Sequence, residues 1–113
     1  MSQVKEILES AYALVKQGWT KGSYKSFKRE HDCFCAVGAV RQAAFGTVHP
    51  VYRHEATPTF SYYKAAMETL YKSLVPRGRS LDMESAVVQF NDKKATTKQV
   101  VTKAFRAAIA KVA

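Results

Sequence analysis

Val4, Ile7, Leu8, Ala11, Leu14 and Val15 recur at three- and four-residue steps, the spacing that gathers side chains on one face of a helix. Ser2 is placed to cap this first helix and Gly18 to end it in a left-handed conformation. The pattern then breaks. From Trp19 to Glu30, aromatic and basic residues mix with Gly22 and several serines, which predicts a loop holding at most one helical turn. Asp32 is the expected cap of a second helix that runs through Phe45 and closes at Gly46. This segment is small and apolar except near Arg41 and Gln42, so its helix is expected at the centre, touched on several sides. Gly38 inside it disfavours the helix by up to about 1 kcal/mol relative to alanine. Close approach of another helix is the expected compensation.

Thr47 to Thr59 holds two prolines, two histidines and no period, and is expected to be a long connection. Phe60, Tyr63, Met67, Leu70 and Leu74 mark a third helix that stops before the turn Pro76-Arg77-Gly78-Arg79. Leu81 to Phe90 reads as a short helix with Met83, Val87 and Phe90 on one side, or as a short strand over Ala86 to Phe90. In the last segment Thr96 and Gln99 form a capping-box pair, followed by an apolar face of Val100, Val101, Ala104, Phe105, Ala108, Ile109 and Val112. The predicted architecture is all-α: one compact domain, residues 1–113, of about five helices around a small-residue central helix.

Composition agrees with that picture. A chain of 113 residues with 47% apolar content can bury roughly two-thirds of its unfolded surface as a single domain, so neither a disulfide nor a metal is required. No apolar run approaches the about 20 residues that span a bilayer, and the first residues lack the pattern of a secretory leader. Cys33 and Cys35 stand one residue apart, too close to bridge readily, and are expected as reduced thiols of a cytoplasmic protein.

Charge sharpens the expectation about partners. The net charge is +9, and its excess is clustered. Lys16 to Arg29 contains no acid, and after Asp92 only basic charges follow: Lys93, Lys94, Lys98, Lys103, Arg106 and Lys111. Such clusters attract anions: nucleic acid, nucleotides or an acidic protein. In the first run Trp19, Tyr24 and Phe27 are interleaved with Lys21, Lys25, Lys28 and Arg29, a mixture that can stack bases and neutralise phosphates. The alternative is that Trp19 and Phe27 only fold the loop onto the core. The candidate ligand-binding residues are therefore Trp19, Lys21, Tyr24, Lys25, Lys28 and Arg29, with Lys94, Lys98 and Arg106 from the opposite side of the last helix's apolar stripe.

Catalytic chemistry has less support. His31, Asp32, Cys33 and Cys35, with His49 and His54 further on, are the one cluster resembling a site. Structural zinc favours pairs such as Cys-x2-Cys, and on a helix Cys-x-Cys would point its thiols about 200° apart. Cys33 in a helix's first turn, with His31 or His49 as base, is the sharper idea, set against cysteine's ordinary place in a core. Asp82, Glu84 and Asp92 suggest caps and turn contacts, not an acid–base pair, and no phosphate-cradling glycine motif occurs. The protein is expected to be non-enzymatic, with no cofactor and no metal.

Three segments, Gly18-Trp19-Thr20-Lys21-Gly22, Cys35-Ala36-Val37-Gly38-Ala39-Val40 and Phe90-Asn91-Asp92 followed by Thr96-Thr97, occur in that order. Together they resemble a family of small uncharacterised proteins of actinobacteria and tailed phages. Phe90 stands where that pattern usually has tryptophan, and Ala95 where glycine is common. The resemblance carries over no catalytic residue. It marks Trp19, Cys35, Gly38, Asn91 and Asp92 as fold positions, Gly38 for close packing and the Asn-Asp pair for a turn and cap. A phage setting would imply an accessory role, such as host takeover or counter-defence, while the expectation of a phosphate-rich ligand, or alternatively an acidic host protein, comes from the clustered charge and the aromatic-basic loop.

Overall fold

A computed structural model of the chain describes residues 3–28, 30–49, 57–79 and 82–112. Helix α1 spans Gln3–Gln17, strands β1 (Lys25–Lys28) and β2 (His31–Phe34) follow, and then come helices α2 (Ala36–Phe45), α3 (Pro58–Leu74), α4 (Met83–Asp92) and α5 (Lys98–Lys111). The five helices agree with the sequence pattern. The hairpin does not, so the fold is mostly α, not all-α.

The strands pair antiparallel, Lys25 opposite Phe34 through Lys28 opposite His31. That register leaves a two-residue turn, and its second residue, Glu30, takes a left-handed φ of 67°. Two-residue hairpins usually announce themselves with Asn-Gly or Asp-Gly, so a turn ending in Glu30 gives no local signal. Tertiary pairing compensates, because β2 has a second neighbour on its other edge. Phe34 donates its N–H to the Gly18 carbonyl (2.9 Å), and its own carbonyl accepts from Thr20 N–H (3.2 Å). Residues expected to start the second helix at Asp32 are thereby held extended.

Helix α2 consequently begins after Cys35, whose Sγ accepts the Gly38 N–H at 3.3 Å, and ends at a left-handed Gly46 with φ 75°. It is the central element, with Ala36, Val37, Gly38, Ala39 and Val40 all buried, and it packs against α1, α3, α4 and β2. Gly38 does mark a close approach, but to the backbone just before β1: a Cβ there would overlap the Tyr24 carbonyl. Gly18 is another such place. It has no positive φ, and a Cβ on it would lie 2.8 Å from both Asp32 O and Cys33 Sγ.

Helix α3 starts two residues before Phe60 with Pro58 in its first turn, where a missing N–H is harmless. Asp82 caps α4, accepting the Ser85 N–H at 3.0 Å, and the helical reading of this segment prevails over the strand alternative. Helix α5 is capped by Thr97, not Thr96, and Thr97 Oγ1 accepts the Val100 N–H at 3.3 Å. Thr96 is buried and donates instead to the Phe90 carbonyl (2.6 Å), while Val100 is 40% exposed and leaves the apolar face. No helix among the described residues is long and apolar enough to cross a membrane. The expected cap Ser2, most of the 47–59 connection with His54, and Arg29 lie outside the described residues.

Candidate functional site

Asn91, the penultimate residue of α4, organises the region where the Trp19 loop meets the helices. It is fully buried. Its Oδ1 accepts the Trp19 indole N–H (2.7 Å) and the Ala36 N–H (3.1 Å), and its Nδ2 donates to Thr20 O (3.1 Å) and to Asp92 Oδ1 (3.0 Å). All four hydrogen-bonding positions of the amide are used. Asp92 continues the link by accepting the Gly22 N–H at 3.0 Å. The Asn-Asp pair therefore ties the loop to α4 and to the start of α2, beyond the turn and cap expected of it.

This arrangement also disposes the basic residues. Lys21 Nζ donates to the carbonyls of Lys93 and Lys94, at the end of α4 where the helix dipole is negative, and lies 5.5 Å from the Trp19 ring centroid. Lys21, inside the first basic run, thus contacts the backbone at the start of the second. Lys28 Nζ donates to Thr20 Oγ1 at 2.9 Å, and Lys25 pairs with Asp32 at 3.7 Å. Lys94, Lys98 and Arg106 are exposed. The last two sit on α5, which packs against α1 and α3; they are eight residues apart, about 12 Å along the helix.

Beside this junction lies a cavity of about 700 Å³ whose walls include Gly22, Tyr24, Phe27, Val48, Val88 and Asp92. Lys25, Asp32, Cys35 and His49 also line it. Among the candidate ligand-binding residues Tyr24 and Lys25 face the cavity, whereas Trp19 is spent on Asn91. Trp19 does pack, partly buried, against the core as the alternative expected, whereas Phe27 is 70% exposed on β1 and does not.

Arg41 is the residue that sequence reading passed over. Its guanidinium carbon lies 4.2 Å from the Tyr24 ring centroid, Nη1 donates to Val48 O at 3.1 Å, and Nη2 donates to Glu84. Glu84 accepts from the Tyr63 hydroxyl as well. Burial opposes the Arg41 charge, but Glu84 and Tyr63 outweigh it and raise its pKa. Burial, and then Glu84, push the Tyr63 phenol up. A single arginine thereby braces the hairpin, the α2–α3 connection and α4. An isolated Arg on an apolar helix was the one available signal.

The cysteines occupy different elements from those expected. Cys33 lies in β2, with Sγ against Gly18, and not in the first turn of a helix. Cys35 is the residue at the helix start and is 2% exposed. Burial pushes its thiol up, against the N–H groups of Gly38 and Val37, so it is a neutral thiol at pH 7. Both cysteines are free. Among the described residues no three His, Cys, Asp or Glu side chains converge as a metal site. The amide end of α2 is also occupied, since Asn91 takes the Ala36 N–H and Cys35 takes that of Gly38.

Over residues 1–111 the chain matches a family of unknown function, DUF6197. No curated protein matches it, and no solved structure does.

Proposed function

Because the chain belongs to the family of unknown function DUF6197, its function has to be argued from its own surface, and we propose that it is a non-enzymatic protein that binds a phosphate-rich ligand, nucleic acid or nucleotide. The observation that carries this reading is the meeting of the two basic runs at Lys21, Lys93 and Lys94, beside a cavity bordered by Tyr24 and Phe27. Cations that neutralise phosphate and rings that stack on bases are thereby brought within one region. In a phage accessory role, such binding sequesters a nucleotide signal or occupies nucleic acid.

Titration with duplex, single-stranded and nucleotide ligands at two salt concentrations tests it. Genuine phosphate contacts weaken steeply with salt, and Lys94→Glu combined with Lys98→Glu should weaken all of these ligands together. Failure to bind any of them at low salt removes the proposal.

A second reading is an acidic protein partner, favoured by Phe27, which is 70% exposed on a strand flanked by Lys25 and Lys28. Recovery of one acidic protein in a pull-down that resists nuclease, and that Phe27→Ala abolishes, would select it over the first.

A further inference from the structure

The geometry points to a free purine nucleotide as the occupant of the cavity, with its base laid on the Tyr24 ring and its phosphates toward Lys21, Lys93 and Lys94. This rests on the anion-binding reading and narrows it to one ligand class.

Tyr24 is a prepared plate. It lines the cavity and is 37% exposed, while the Arg41 guanidinium, which is not part of the cavity wall, lies 4.2 Å from the ring centroid. Arg41 is itself held by Val48 O and Glu84, and its side chain is only 13% exposed. The conformational freedom that usually opposes ligand capture is therefore already lost on this side of the site. A cation on one face draws electron density from a π system. The cavity side of Tyr24 then suits a broad, electron-rich ring, and purines offer more stacking area than pyrimidines.

The cavity wall also joins apolar and polar groups, with Tyr24, Phe27, Val48 and Val88 among the former. Asp92, one turn beyond Val88 on α4 and so about 6 Å away, lies with Gly22 beside Lys21 and Lys93. Of the lysines and acids in this region, Lys25, Asp32 and Asp92 line the cavity, whereas Lys21, Lys93 and Lys94 stand outside its wall, next in sequence to Gly22 and Asp92. Asp32 is paired with Lys25, and Asp92 accepts from Gly22 and Asn91. A flat base joined through a ribose to phosphates matches this combination. The volume of about 700 Å³ falls in the range of small-ligand pockets, and a duplex has no base edge free to reach Tyr24.

Calorimetric titration of the intact protein with ATP, GTP, CTP, UTP, inorganic tripolyphosphate and a single-stranded oligonucleotide decides the matter. ATP or GTP is expected to bind at least about tenfold more tightly than CTP, UTP and tripolyphosphate, the scale of one stacked base. Tyr24→Phe should keep that preference and Tyr24→Ala should erase it, with circular dichroism confirming that both variants are folded. Lys94→Glu should weaken tripolyphosphate and ATP alike. Tripolyphosphate binding as tightly as ATP, with no response to Tyr24→Ala, overturns the base site and leaves the anion-binding reading standing. An oligonucleotide that outcompetes ATP overturns the choice of a free nucleotide. Absence of binding by every ligand at low salt removes both readings.

Discussion

Asn91 illustrates how much a single side chain does in this fold. With both acceptor positions and both amide hydrogens engaged, its removal strands the Trp19 indole N–H and the Ala36 N–H in the interior. Unsatisfied buried donors are costly, and Asn91→Ala is expected to destabilise by about 3 kcal/mol, read as a lower urea midpoint with an unchanged slope. Gly38→Ala separates two opposing effects. Alanine favours the helix by up to about 1 kcal/mol, but its methyl would overlap the Tyr24 carbonyl. Overpacking of about 1–3 kcal/mol should win, so the melting temperature should fall; a rise would show that the hairpin yields easily. The demand for space at Gly38 was legible in the sequence, because a glycine inside an apolar helix needs a reason. The neighbour that fills the space was not legible, because it is backbone from a segment with no strand signal.

At the scale of elements, helices announced themselves through periodicity, while their first residues were decided by competition. Thr96 and Thr97 are adjacent and both suit a cap, but Thr96 is drawn inward to the Phe90 carbonyl, leaving Thr97 to hold the Val100 N–H. Thr97→Ala should then destabilise by about 1 kcal/mol, whereas Gln99→Ala should be neutral because no capping box forms. Denaturant melts of the two variants check this, and an effect at Gln99 equal to that at Thr97 would restore the box. Asp32 loses its expected cap role in the same way. Aspartate is an excellent cap, but Phe34 two residues later is bonded through its N–H to Gly18 and through its carbonyl to Thr20, so the segment stays extended as far as Cys35. Of the candidate site, the aromatic and basic composition was visible, and Tyr24 and Lys25 do line the cavity. Arg41 was hidden because its importance comes from Tyr24, Val48, Tyr63 and Glu84, which converge on it from four other segments.

At the scale of the whole molecule, the two thiols report on cooperativity. Cys33 and Cys35 are buried where the end of α1, the hairpin and α2 meet, and burial keeps Cys35 protonated at neutral pH. Iodoacetamide is expected to label neither promptly in the native protein at pH 7, and both together once denaturant unfolds it, as read by intact mass. Rapid native labelling of one cysteine would return the nucleophile idea to contention. The sequence by itself determined the helical segments, the central position of the small-residue helix and the clustering of positive charge, because periodicity and charge are properties that neighbouring residues set among themselves. Tertiary structure alone decided that a hairpin forms, that Lys21 closes the end of α4, and that Arg41 backs Tyr24 at the cavity wall. Those outcomes depend on bonds between residues far apart in the chain, such as Gly22 with Asp92 across 70 positions. Their free energy exists only once the intervening helices have packed.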